Sequence, residues 1–160
     1  MRDATTLPGL EVELAVMTGN VAQVFLTDRA WTAALRGTRA ALKDAGHLVF
    51  ETRRPERRVW EEWPLRTEPV TRDVPGVGVV ERRLQITAVA LPLVSFRYTY
   101  SFARDGDVVT SDSTLRFRSA EEVDRSLTEN GFRTVEVREA TDEQLSIPGV
   151  PRALEVAMSG

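Results

Sequence analysis

The hydrophobic pattern opens at Val12 to Met17, where Leu14-Ala15-Val16-Met17 is apolar without a break and predicts a strand covered by helices on both faces. Thr18-Gly19-Asn20 ends it. From Thr27 or Asp28 the period becomes helical: Trp31, Leu35, Thr38 and Leu42 fall on one face, among alanines that favour helix. Lys43 suits the negative end of that helix, and Gly46 stands where a left-handed stop is expected. Leu48-Val49-Phe50 predicts the next strand, so strand, helix and strand form a right-handed βαβ crossover with its two strands parallel. His47 opens the second strand, at the end of the sheet away from ligands, and reads as a surface histidine. Glu51 to Pro64 interleaves Arg53, Arg54, Arg57 and Arg58 with Glu56, Glu61 and Glu62, and predicts a short amphipathic helix ended by Pro64.

Between Val77 and Arg118 the period is two. Leu84, Ile86 and Ala88 alternate with polar neighbours, as do Phe96, Tyr98, Tyr100 and Phe102, and Val109, Leu115 and Phe117 share one face of a third strand. A three-stranded antiparallel meander follows, turning at Leu91-Pro92 and at Arg104-Asp105-Gly106-Asp107. Ser119 and Glu122 have capping-box spacing and open a helix that carries Val123 and Leu127 and ends at Gly131. Phe132 to Arg138 alternates as a strand, and the tail offers a turn at Pro148-Gly149 and a last strand at Ala153 to Met158. The fold class is α/β: one domain over residues 1–160, with an antiparallel insertion at residues 65–118.

Composition narrows the chemistry. The chain has 160 residues, 42% hydrophobic and 28% charged, which suits one domain with a real core. No apolar run nears the roughly 20 residues of a spanning helix, and Met1-Arg2-Asp3 does not lead into a signal-peptide core, so the expected location is cytoplasmic with no membrane partner. With no cysteine and one histidine, disulfides, thiolate catalysis and multi-histidine metal sites are excluded. Lys+Arg 21 against Asp+Glu 24 leaves a net charge of −3, without the basic footprint of a nucleic-acid binder. The arginines at 53, 54, 57 and 58 read as a self-paired solvated face.

Three stretches carry a likeness: Arg2-Asp3-Ala4-Thr5-Thr6-Leu7-Pro8, then ELAVMTGNVAQVF from Glu13 to Phe25, then GHLVFETRRPERRVWEEW from Gly46 to Trp63. In order and spacing they resemble the second half of class I S-adenosylmethionine-dependent methyltransferases, in the small-molecule subfamily of bacterial enzymes. The resemblance implies a partial Rossmann-like methyltransferase sheet whose antiparallel insertion at residues 65–118 helps cover the substrate, S-adenosylmethionine as cofactor, and methyl transfer to a small organic acceptor. It also implies that Asp3 and Ala4 meet the adenine, and that the loop after Val12–Met17 borders the methionine part of the cofactor and the acceptor. In that family a glycine-rich loop precedes these stretches. Gly76-Val77-Gly78 is not its equivalent, because it precedes the meander and opens no helix. The expectation is therefore a truncated or split methyltransferase whose Leu14–Met17 strand has an unpaired edge, and which forms a homo-oligomer or takes a complementary methyltransferase segment.

Ligands in open α/β sheets bind beyond the carboxyl ends of the strands, which orders the candidates. Thr18, Gly19 and Asn20 lie at one such end and are assigned to the cofactor: Gly19 admits close backbone approach, and Asn20 offers a donor and an acceptor. Glu51 and Arg53 lie at the next, where Glu51 either takes a proton or cation from substrate or pairs with a neighbouring arginine. Trp60, Trp63, Tyr98 and Tyr100 either line an acceptor pocket or pack on the core. Two other readings stay open: a non-catalytic remnant or partner subunit pairing through the exposed edge, and a small-ligand binding module built on the meander.

Overall fold

The computed structural model describes residues 9–63, 69–139 and 154–159. They form two compact units, one built from the chain up to Pro55 and again from Phe117 onward, the other from Glu56 to Arg116.

In the first unit, the unbroken apolar run forms strand β1 (Val12–Met17), followed by a single helical turn α1 (Val21–Val24), helix α2 (Asp28–Ala41) and strand β2 (Leu42–Thr52). The helical period is realised: Trp31, Ala34, Leu35, Thr38 and Ala41 are the buried face of α2. Thr38 is tolerated there because its hydroxyl donates to the Ala34 carbonyl, 2.9 Å away. Thr27 caps the helix by accepting the Ala30 N–H at 3.1 Å. The other end departs from expectation. Leu42 turns directly into extended backbone (φ −88°, ψ 138°), its N–H closing on Thr38 and Arg39, so no left-handed stop is needed and Gly46 lies inside β2. There a Cβ would come within 2.9 Å of Leu42 Cδ2 and 3.0 Å of the Lys43 carbonyl, which is why glycine suits the position.

Strands β1 and β2 pair in parallel, as a βαβ crossover requires, in register from Leu14 with His47 to Met17 with Phe50. His47 is exposed and sits inside β2 rather than at its start. After the insertion, helix α3 (Ala120–Glu129) opens on a complete capping box between Ser119 and Glu122. Gly131, at φ +80°, ends the segment before strand β7 (Arg133–Glu139). The last strand, β8 (Leu154–Ser159), lies antiparallel between β2 and β7, giving the order β1-β2-β8-β7. The expected turn at Pro148-Gly149 lies outside the described residues. Trp31 and Leu35 of α2, Leu48 and Phe50 of β2, and Val123 and Leu127 of α3 make the core together with Phe132.

β1 is not covered on both faces as its continuous apolar run predicts. It stands at the sheet's edge among the described residues, and Leu14 and Val16 remain 55% and 53% exposed. Nor is there an amphipathic helix from Glu51 onward. β2 runs on to Thr52, and short 3₁₀ turns follow at Pro55–Arg57 and Val59–Glu61, with Arg58 in the left-handed region (φ +44°) and paired to Glu61. Pro64 lies outside the described residues.

The second unit is an antiparallel sheet of four strands rather than three: β3 (Val70–Val74), β4 (Gly78–Ala90), β5 (Leu93–Phe102) and β6 (Val108–Arg116), in that order. The additional strand precedes Gly76-Val77-Gly78, which forms the β3–β4 turn with both glycines at positive φ. Its sequence, VTRDV, offers only two apolar residues and stays mostly exposed, so its pairing with β4 defines it more than its hydrophobicity does. The Leu91-Pro92 turn is present, and the turn at Asp105-Gly106 is held by the Asp105 side chain accepting the Asp107 N–H at 3.1 Å.

Candidate functional site

The carboxyl ends of the parallel strands β1 and β2 are joined by one hydrogen bond. The Asn20 N–H donates to Glu51 Oε1 at 3.0 Å. The turn that makes this reach holds two successive left-handed residues, Gly19 (φ +68°) and Asn20 (φ +64°); glycine has no penalty there, and asparagine is among the side chains that tolerate it best. Around Gly19 a Cβ would meet nothing within 4 Å, so its backbone faces open space. Thr18 is exposed, Glu51 half-buried and Arg53 buried at 5% exposure. Thr18, Gly19, Asn20 and Glu51 thus meet at one end of the sheet, with Arg53 two residues beyond Glu51. Asp3 and Ala4 lie outside the described residues.

One residue here escaped the sequence reading. Gln23 of α1 is fully buried, and among the described residues neither its Nε2 nor its Oε1 has a hydrogen-bond partner; Asn20 Oδ1 is likewise buried and has none there. A buried amide without partners costs about 1–3 kcal/mol, so native proteins rarely leave one unless water or a ligand completes it. A glutamine in VAQV carries no periodic signal, although its place three residues after Asn20, in the first helical turn past a strand end, was available.

The aromatic candidates lie in the second unit. Phe96, Tyr98 and Tyr100 share one face of β5, with Trp63 edge-on to Phe96 (centroids 5.4 Å), Phe96 edge-on to Tyr98 (5.6 Å) and Tyr98 tilted against Tyr100 (6.1 Å). Trp60 is buried, whereas Trp63, Tyr98 and Tyr100 are half-exposed. The register places Leu84 opposite Tyr98 and Arg82 opposite Tyr100, and the Arg82 guanidinium lies 5.2 Å from the Tyr98 ring centroid. Arg82 was legible in principle, since counting back two positions from Leu84 puts it on the aromatic face. The opposite face is polar, with Arg97 bound to Asp112 through two hydrogen bonds of 2.7 and 2.8 Å.

No protein-family model matches the sequence, and no curated protein matches it. The fold has solved counterparts. The chain is similar over 99% of its length to an S-adenosylmethionine-dependent methyltransferase from Clostridium acetobutylicum ATCC 824 (TM-score 0.70, 12% identity), of which it covers 62%. It is similar over 99% to CalS10 from Micromonospora echinaspora, an amino pentose methyltransferase involved in calicheamicin biosynthesis and solved with S-adenosylmethionine bound (TM-score 0.66, 19% identity, 63% of that chain). It is similar over 98% to KedS8 from Streptoalloteichus sp ATCC 53650, a sugar N-methyltransferase (TM-score 0.64, 16% identity, 60% of that chain). At these identities the likeness is one of fold: the chain is α/β and has the Rossmann-like sheet of S-adenosylmethionine-dependent methyltransferases. It spans less than two thirds of each of these structures. No described helix is long and apolar enough to cross a membrane.

Proposed function

We propose that this chain forms the acceptor side of an S-adenosylmethionine-dependent methyltransferase and acts in methyl transfer to a small organic molecule. The observation that carries the reading is the Asn20–Glu51 clasp at the carboxyl ends of two parallel strands, where open α/β sheets hold ligands. The residues fit the cofactor in one testable respect: buried Asn20 Oδ1 and the Gln23 amide have no hydrogen-bond partner among the described residues, and a ligand with donor and acceptor groups supplies one. Thr18, Gly19 and Asn20 would hold the cofactor, with Asp3 and Ala4 assigned to its adenine by resemblance.

S-adenosylmethionine, when bound, supplies a methyl group on a sulfonium that is already activated toward a nucleophile. The chain's own task is alignment and exclusion of water. Glu51 Oε1 is engaged by Asn20, which leaves Oε2 to orient an amine or hydroxyl of the acceptor and to receive its proton. Arg53 provides positive charge at the same strand exit. Trp60, Trp63, Tyr98 and Tyr100 are assigned to the acceptor, with ring faces suited to apolar or cationic parts of it. The two sugar-modifying neighbours, described as acting on an amino pentose and as a sugar N-methyltransferase, make amines and amino sugars the first acceptors to try.

A second reading has its own support. The exposed edge of β1, with Leu14 and Val16 uncovered, suits a chain that pairs with another copy or with a complementary methyltransferase segment. Titration calorimetry with S-adenosylmethionine and S-adenosylhomocysteine separates the two. Saturable binding, weakened in Glu51→Gln and Asn20→Ala, supports a cofactor site in this chain; a folded sample that binds neither removes the activity from the chain alone and leaves the pairing role.

A further inference from the structure

Arg118 is buried at 4% exposure, two residues beyond β6, and its guanidinium is spent on the backbone of a segment more than ninety positions away. Nη1 donates to the Ala22 carbonyl at 3.3 Å, and Nη2 to the carbonyls of Phe25 at 2.7 Å and Thr27 at 3.4 Å. The guanidinium also lies 5.3 Å from the Trp31 ring centroid, with Asp28 Oδ1 3.9 Å from Nε. Two of these carbonyls, of Ala22 and Phe25, belong to the end of α1, which is one turn long and gives them no intrahelical donor; the third, of Thr27, also accepts the Trp31 N–H at 3.1 Å as the cap of the next helix. A cation at a helix carboxyl end satisfies such groups and opposes their negative pole.

We infer that Arg118 is the positioning residue of the ligand-side turn: by gathering the carbonyls of Ala22, Phe25 and Thr27 it fixes the short helix that presents Asn20 and Gln23 beside Glu51. The Gln23 N–H closes on the Asn20 carbonyl at 2.9 Å, so the turn and α1 form one piece, and Arg118 is the clamp on its far end. Trp31 supplies the bed on which the guanidinium lies, and its indole N–H is held by Ser126 Oγ at 2.8 Å. Lysine cannot replace arginine here, because a single ammonium lacks the planar fork that reaches three carbonyls from one stacked position.

As far as it concerns ligand binding, this inference rests on the cofactor reading above; the clamp itself does not. Hydrogen–deuterium exchange on the full chain compares wild type with Arg118→Lys, which keeps the charge, and with Ser126→Ala, which removes the hydrogen bond on the other side of Trp31. Residues 20–27 in Arg118→Lys should exchange about tenfold faster while α2 and α3 stay unchanged. Its affinity for S-adenosylhomocysteine should fall about tenfold, without loss of a cooperative melt. Ser126→Ala should lower the melting temperature and leave both readouts as in wild type. Unchanged exchange at 20–27 in Arg118→Lys, a uniform rise across the molecule, or the same local rise in Ser126→Ala overturns the inference. If the wild type binds no S-adenosylhomocysteine, the cofactor reading falls, and the exchange pattern alone decides the role of Arg118.

Discussion

Gly46 has no room for a side chain, and the reason is local. β2 begins at Leu42, immediately after α2, and the chain folds over its own Leu42 side chain before pairing with β1 from His47. Gly46→Ala should therefore destabilise the protein by about 1–3 kcal/mol through overpacking, seen as a lower urea midpoint at unchanged slope. Asp112 makes a different case. Two hydrogen bonds from the Arg97 guanidinium hold its carboxyl below the ordinary carboxylate range. Because the folded pKa is the lower one, the pair's contribution is present above the unfolded carboxylate value and is lost as pH falls through the folded value. An NMR titration should find the Asp112 midpoint depressed in wild type and back near the ordinary range in Arg97→Leu. What was legible at this scale was residue type at a strand end: Asn20 and Glu51 were marked by position, and a hydrogen bond joins them. Gln23 and Arg118 were not legible, because their significance lies in which atoms have partners and which backbone they reach.

Helices announced themselves more reliably than their ends did. The face of Trp31, Leu35 and Thr38 is buried as its period requires, and the capping box at Ser119 is complete. The Ser119 side chain is also the chief cause that holds the Glu121 carboxyl below its ordinary range. Ser119→Ala should cost about 1 kcal/mol in chemical denaturation and return Glu121 toward its ordinary pKa. The helix forecast after Glu51 failed for a physical reason: Thr52 and Glu51 continue the hydrogen-bond ladder of β2, and tertiary pairing overrides a charge pattern of modest helical propensity. In the inserted sheet the alternation of Phe96, Tyr98 and Tyr100 fixed the face and the register confirms it, whereas β3 escaped because two valines in five residues give no period to read.

At the level of the whole molecule, the sheet order leaves β1 with no partner on one side among the described residues, and Leu14 and Val16 exposed, which is a surface that proteins normally pair or cover. Charging it with Leu14→Lys and Val16→Lys should shift sedimentation toward the monomer while leaving the far-ultraviolet spectrum unchanged; the same sedimentation in wild type and variant counts against pairing through this edge. A further consequence concerns birth of the protein rather than its finished form. Trp31 and Ser126, bonded to each other, are 95 positions apart, while among the described residues β3 to β6 pair only with one another in an unbroken stretch. As the chain leaves the ribosome, the inserted sheet has all its strands before α3 arrives with Val123 and Leu127 to complete the core begun by Trp31, Leu35, Leu48 and Phe50. The core of the host unit therefore stays incomplete throughout the synthesis of its own insertion, the interval in which a chaperone has most to protect.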